Sequence, residues 1–275
     1  MFTFKRKLVS NPMNKIQVVS WSKQSQIAKI VIDNPPVNVF NADVIEQLTL
    51  VLDEIKNDSE IKVVIITGQG EKAFVAGGDI KSFPEWMEKG VEEGKQKSLW
   101  LQEPLNKIER LSQPTIAAIN GVALGGGCEL ALSCDIRIAE EQIQIGLPEI
   151  KLGLFPGAGG TQRLSRLVGK AKAKEMIFTG QPLSAEEAKQ IGLVNHVVPK
   201  GKSLEKALEL AECISNFSLP ALSFAKRSLD VGYEQQLHEG LVTEAEYFGH
   251  VLQTKDVKEG VEAFIQKRKP KFIDK

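Results

Sequence analysis

The sequence predicts an α/β protein with a largely parallel sheet, and three observations carry that expectation. Short strand-like runs alternate with amphipathic helical segments through the first two thirds of the chain. One run, Lys62-Val-Val-Ile-Ile-Thr67, is almost continuously apolar, the pattern of a strand buried on both faces. After about Lys200 the strand-like runs cease and helical periodicity takes over.

Taken in order, residues 1–13 are basic but lack the apolar stretch of a secretory signal, and read as an N-terminal extension. The core is expected over 14–202. Ile27-Ala-Lys-Ile-Val-Ile-Asp33 reads as a strand, halted by Asn34-Pro-Pro36 because proline lacks the amide hydrogen a ladder needs. From Asp43 onward, Val44, Ile45, Leu48, Val51, Leu52 and Ile55 fall on one helical face. Residues 84–102 read as irregular, with Trp86 and Trp100 lining a pocket or packing in the core. A helix is expected over 98–111, then strands at Thr115-Ile-Ala-Ala-Ile-Asn120 and Asp135-Ile-Arg-Ile-Ala139. The last region, 203–275, predicts helices over 203–216, 219–231, 235–253 and 256–268 that pack on the core or a neighbouring subunit. Ser184-Ala-Glu-Glu187 and Asp256-Val-Lys-Glu259 both have capping-box form.

Composition narrows the function classes. Lys+Arg and Asp+Glu both number 35, so the formal net charge is zero, which argues against a coat for nucleic acid or an anionic membrane. Three cysteines, Cys128, Cys134 and Cys213, are odd in number and fit a reducing compartment better than a disulfide scaffold. The histidines His196, His238 and His250 are scattered, so no metal site is expected. No apolar run approaches the roughly 18 residues of a membrane span. These features together predict a soluble, cytoplasmic protein.

The chemistry is expected at the glycine clusters. Gly68-Gln-Gly70-Glu-Lys-Ala73 satisfies a loose G-x-G-x-x-A, but no long helix and no suitably spaced acidic residue follow it, so a dinucleotide site is rejected. A P-loop is absent. Gly77-Gly78 before Asp79 and Gly125-Gly126-Gly127 before Cys128-Glu129 each lie where a strand-like segment turns. Two reasons for such glycines stay open: amides aimed at an oxyanion, or close helix–strand packing. Glu129 and Glu149 sit in apolar surroundings, where a carboxylate is either paired or functional, and two such groups can divide acid and base roles. Asp79 reads as structural, holding its loop. Lys267-Arg-Lys-Pro-Lys271 reads as a phosphate contact or a solvated helix end.

With these residues in view, the chain resembles the crotonase (enoyl-CoA hydratase/isomerase) superfamily from about Asn14 to Phe272. The resemblance rests on Ala73-Phe-Val-Ala-Gly-Gly-Asp-Ile-Lys81, Asn120-Gly-Val-Ala-Leu-Gly-Gly-Gly-Cys-Glu-Leu-Ala-Leu-Ser-Cys-Asp135 and Leu147-Pro-Glu-Ile-Lys-Leu-Gly-Leu-Phe-Pro-Gly-Ala-Gly-Gly-Thr-Gln-Arg-Leu164. It implies a spiral of ββα units with a helical C-terminal trimerisation region, a homotrimer or dimer of trimers, and an acyl-CoA thioester substrate. It further implies oxyanion amides at Gly78 and Gly126, water activation by Glu129, proton delivery by Glu149, and help in placing the water from the Gly157 amide. Ala76, Gly77, Asp79 and Ile80 match the adenine-binding loop. Phe264 and Lys267 match positions that reach CoA on an adjoining subunit.

The expected reaction is reversible hydration of a trans-2-enoyl-CoA to 3-hydroxyacyl-CoA in acyl-chain degradation, with no cofactor beyond the CoA of the substrate. An enoyl-CoA isomerase, or a decarboxylase or hydrolase, is the alternative within the superfamily, with a methylglutaconyl-CoA hydratase-like specificity as a subdivision. A non-catalytic acyl-CoA- or RNA-binding relative is the alternative from another class; retention of both glutamates favours hydration.

Overall fold

A computed structural model describes residues 5–7 and 16–274. The remainder of the expected extension at 1–13 lies outside the described residues. Strands β1 (Lys5–Lys7), β2 (Val19–Gln24) and β3 (Ile27–Ile32) pair antiparallel in succession. Helix α1 (Ala42–Asn57) follows, its first turn capped by Asn41, whose side chain accepts from the Val44 amide.

A repeated step then builds the molecule. Strand β4 (Val63–Gly68) leads to β5 (Ala73–Ala76) and helices α2 (Phe83–Met87) and α3 (Gly90–Glu109). Strand β6 (Thr115–Ile119) leads to β7 (Val122–Leu124) and α4 (Gly126–Leu132). Strand β8 (Ile136–Glu140) leads to β9 (Gln144–Gly146), then α5 (Gly160–Val168) and α6 (Lys170–Thr179). The first strand of each step joins one sheet and the second strand joins another. After β10 (Leu183–Ser184), α7 (Ala185–Gln190) and β11 (His196–Val198), the orders are β1-β2-β3-β4-β6-β8-β11 and β10-β9-β7-β5. From β3 to β11 the large sheet is parallel, and Ile65 of β4 pairs with Ile116 of β6, which pairs with Ile136 of β8. This is the ββα spiral that the motifs imply.

The continuous apolar run in β4 is explained by burial on both faces. Val64 and Ile66 join Ile30, Ile32, Ala117 and Ile119 against the apolar face of α1. Val63 and Ile65 point the other way, joining Ile116, Ala118 and Ile138 against Ala207, Leu208 and Ala211. Those last three belong to α8 (Ser203–Ser215), the first of four C-terminal helices. Helices α9 (Leu219–Tyr233), α10 (Leu237–Val251) and α11 (Lys255–Ile265) complete the chain. Among the described residues no helix is long and apolar enough to cross a membrane.

Two expectations need correction. The segment 84–102 is mostly helical: α3 begins at Gly90, eight residues before the expected start at 98. Its early turns are exposed and carry the ion pairs Lys95–Glu92 and Lys97–Glu93 instead of an apolar face, so periodicity had nothing to register. The capping box expected at 256–259 does not form. Thr254 caps α11 by accepting from the Val257 amide, while Asp256 turns inward and accepts from the amides of Ile273 and Asp274. Glu259 pairs with Arg268. The box at Ser184 and Glu187 is formed.

Candidate active site

The two glycine clusters meet where strands β5 and β7 end. Phe40 donates its amide to the carbonyl of Gly77 at 2.9 Å and bridges to Gly78, fixing that loop beside the second cluster. A Cβ on Gly125 would lie 3.4 Å from Gly77 Cα. The glycines of the second cluster have different reasons to be there. Gly125 has φ 53°, a left-handed conformation that side chains disfavour. A Cβ at Gly127 would sit 1.9 Å from the Val75 carbonyl oxygen, so α4 packs directly on the β5 backbone. Gly126 lies between them against Phe40 and borders a cavity of about 600 Å³. Close packing therefore accounts for Gly127 and backbone conformation for Gly125, while Gly126 is left facing the cavity. Among the described residues the amides of Gly78 and Gly126 have no protein acceptor.

Glu129 comes from α4 and is 3 % exposed. Its Oε1 accepts from the amides of Ala158 and Gly160, each at 2.8 Å. The loop supplying them turns at Gly159, whose φ is 101°, and leads into α5. Burial pushes the Glu129 carboxyl up to about 7, opposed by the Gly160 amide, reinforced by the nearby Glu149, and opposed again by the Ala158 amide and the Arg163 charge. Glu149 opens a short 3-10 turn, Glu149–Leu152, and is half-buried. Its Oε2 is shielded from solvent and has no hydrogen-bond partner among the described residues. Burial raises its pKa as well.

Both carboxyls line the 600 Å³ cavity, as do Gly78, Asp79, Ile80, Gly126 and Gly157. Phe83, Trp86, Trp100 and Leu101 form much of its apolar wall. Phe83 and Trp86 stack at 4.7 Å; both tryptophans line the cavity, and Trp100 also packs against the core, so both roles that their sequence context allowed are filled. Asp79 holds its own loop, accepting from the Lys81 amide at 3.1 Å. Ala76 and Gly77 stand behind Gly78 and do not border the cavity. Phe264 and Lys267 do not border it either; Phe264 is 85 % exposed and Lys267 is exposed.

Sequence reasoning missed the residues that hold the loop carrying Gly157. The hydroxyl of Ser98 donates to the Gly157 carbonyl at 2.6 Å, and Gln102 Nε2 donates to the same oxygen at 3.1 Å. Arg163 donates to the Ala158 carbonyl and to Asn106, and pairs with Glu109 at 2.9 Å. The available signal was the spacing of Ser98, Gln102, Asn106 and Glu109, a polar stripe that adjoins the buried Leu105 and Ile108 on the same helix. No group of three or more His, Cys, Asp or Glu side chains suited to a metal ion occurs among the described residues.

Comparison with known proteins gives this site a lineage. The chain is 44 % identical over 248 residues to a short-chain-enoyl-CoA hydratase of Clostridium acetobutylicum, covering 90 % of this chain and 94 % of that one. It is 39 % identical over 254 residues to a crotonyl-CoA hydratase of Syntrophomonas wolfei, covering 92 % and 96 %. The crystal structure of an enoyl-CoA hydratase from Bacillus anthracis superposes with a TM-score of 0.88 at 42 % identity, over 94 % of this chain and all of that one. The family model described as Enoyl-CoA hydratase/isomerase matches residues 22–275, and the chain belongs to that family.

Proposed function

We propose that the protein is an enoyl-CoA hydratase that adds water reversibly across the 2,3 double bond of a short trans-2-enoyl-CoA. The observation that carries this reading is the pairing of two carboxyls, the buried Glu129 and the half-buried Glu149, on one cavity beside the unsatisfied amides of Gly78 and Gly126. Hydration passes through a thioester enolate, whose oxygen gains charge as water attacks Cβ. Fixed amide donors at that oxygen stabilise the developing charge more than the ground state.

The carboxyls divide the proton work. Glu129, whose Oε1 accepts two amide hydrogens that favour its ionised form, takes the proton from the attacking water. Glu149, raised by burial and without an amide donor on Oε2, carries the proton delivered to Cα. Each turn leaves Glu129 protonated and Glu149 ionised, so exchange with solvent resets the pair. The Gly157 amide borders the same space and helps to place the water. No electrons are transferred, so the reaction itself calls for no redox cofactor. An isomerase shuttles one proton between two carbons of its substrate and has less use for a second buried carboxyl.

The aromatic wall formed by Phe83, Trp86 and Trp100 favours short acyl chains, in keeping with the substrate names of the two hydratases above. The loop 76–80 is assigned to the adenine end of CoA. Phe264 and Lys267 are assigned to a CoA held by a neighbouring subunit in a trimer, which accounts for their distance from this cavity. The test is loss of the conjugated-enoyl absorbance of crotonyl-CoA, with a longer enoyl-CoA alongside. Rapid loss with 3-hydroxybutyryl-CoA as product is expected; binding of the thioester without turnover would overturn the reading.

A further inference from the structure

The stripe on α3 does more than wall the cavity. Ser98, Gln102, Asn106 and Glu109 recur at intervals of four, four and three residues, so they project from one side of the helix. All four bear on a single short loop. Ser98 and Gln102 hold the Gly157 carbonyl directly, and Gln102 Nε2 also donates to the Ser98 hydroxyl at 3.1 Å. Asn106 and Glu109 hold Arg163, whose guanidinium holds the Ala158 carbonyl at 3.2 Å. The carbonyls of Gly157 and Ala158 are thus fixed by side chains of α3 and α5, while the amides of Ala158 and Gly160 in the same loop aim at Glu129 Oε1.

We propose that Ser98 and Gln102 are positioning residues for the hydration reaction: by clamping the Gly157 carbonyl they fix the peptide plane that carries the Ala158 amide, one of the two amides that hold Glu129 in place. The inference rests on the proposed role of Glu129 as base. It has a reason in the fold, because residues 153–159 have no helix or strand to fix them and pass between two left-handed glycines, Gly153 and Gly159. Without a side-chain clamp, the peptide planes of this loop would be free to turn. The same helix places Lys97, Trp100 and Leu101 on the cavity, so the wall that receives the acyl chain also braces the base.

The charged and titratable groups acting on Glu129 are few. Glu149 raises its pKa, the Arg163 charge lowers it, and the neighbouring Cys128 thiol is pushed well upward by burial and stays neutral. The two amides favour the ionised form. Loosening the Ala158 amide therefore moves the acid limb of the pH–rate profile to higher pH, a change that a merely structural contact would not produce.

The experiment compares Ser98→Ala, Gln102→Ala, the double variant and Ser98→Thr with the wild type, using crotonyl-CoA across a pH series. The double variant is expected to lose about 10- to 100-fold in kcat, the scale of a small misplacement of a reacting group, with KM within about threefold. Its acid limb should shift upward, and Ser98→Thr, which keeps the hydroxyl, should recover most of the rate. If the double variant fails to fold, the two single variants and Ser98→Thr decide by the same criteria. Unchanged kcat and an unmoved acid limb, beside a wild type that depends on Glu129, would overturn the positioning role. A Glu129→Gln variant that hydrates crotonyl-CoA as well as the wild type would instead overturn the assignment of the base.

Discussion

The amide nitrogen of Gly160 lies 2.8 Å from Glu129 Oε1, and a Cβ added at Gly160 would come within 2.9 Å of that same oxygen. The donor can approach the buried carboxylate because its residue has no side chain. The added methyl would also meet Pro156 Cβ at 2.8 Å and Leu147 Cδ1 at 3.0 Å, so it has no free direction in which to yield. Gly160→Ala is therefore expected to displace the Glu129 carboxylate and lower kcat for crotonyl-CoA by about 10- to 100-fold. A variant with wild-type turnover would show that this contact is dispensable.

Removing either carboxyl is expected to be more severe. Glu129→Gln and Glu149→Gln each keep the volume of the side chain but end its proton transfer, a loss of about 10²–10⁴-fold in kcat. Binding of an unreactive thioester such as butyryl-CoA, followed by calorimetry, should stay near the wild-type value. Near-native turnover by either variant would sink the two-carboxyl mechanism.

The raised Glu129 pKa predicts opposite trends for activity and stability. As the base, Glu129 must be ionised, so the rate should rise as pH increases through about 7. Stability runs the other way. A carboxyl with a folded-state value of about 7 against an ordinary 4.5 binds its proton more tightly in the folded protein. Its cost is absent below pH 4.5, grows between 4.5 and 7, and is complete above, on the order of 3 kcal/mol. Glu129→Gln should thus melt higher than the wild type at pH 8, and the gap should narrow towards pH 5. A gap independent of pH would mean that Glu129 is not strained by burial.

The sequence revealed most where one physical demand acts on many neighbouring residues. The β4 run was legible because its two faces are buried against different partners, Ile66 towards α1 and Ile65 towards α8. The paired glutamates were legible because charge among apolar neighbours needs a reason. The start of α3 was not, since its first two turns lie in solvent and impose no periodicity. Asp256 misled because its local spacing suits a cap, while its partners are amides 17 and 18 residues away that no local pattern encodes. Ser98 and Gln102 escaped notice for the same reason: Gly157 is 59 and 55 residues distant.

Gly127 and Gly78 should respond oppositely to the same substitution. At Gly127 a Cβ would overlap the Val75 carbonyl, a backbone atom that cannot move without breaking the β5–β7 register. Gly127→Ala is expected to destabilise the fold by about 1–3 kcal/mol or prevent it from forming. At Gly78 a Cβ would meet nothing within 4 Å, and the contact assigned to that residue is a backbone one. Gly78→Ala should change stability by less than about 0.5 kcal/mol and keep hydratase activity. Urea unfolding of both variants checks the contrast, and a Gly78→Ala as unstable as Gly127→Ala would contradict it.

The end of the chain is secured by a buried carboxylate. Asp256 is 1 % exposed, and its Oδ1 accepts from the Ile273 amide at 2.8 Å while its Oδ2 accepts from the Asp274 amide at 3.0 Å. Asp274 in turn accepts from the Leu219 amide and pairs at 2.9 Å with Lys62, which also donates to the Phe217 carbonyl. Residues 273 and 274 are therefore tied to α11 through Asp256, and to the start of α9 and to Lys62, just before β4, through Asp274. Asp256→Ala removes the acceptor for two amides but lets them reach water if the tail swings out, so the expected cost is about 2 kcal/mol. The released tail should become a site of early cleavage in limited proteolysis, with residues 270–275 lost while the ββα core stays intact. Wild-type resistance at that end in Asp256→Ala would show that Lys62 and Asp274 hold the tail without it.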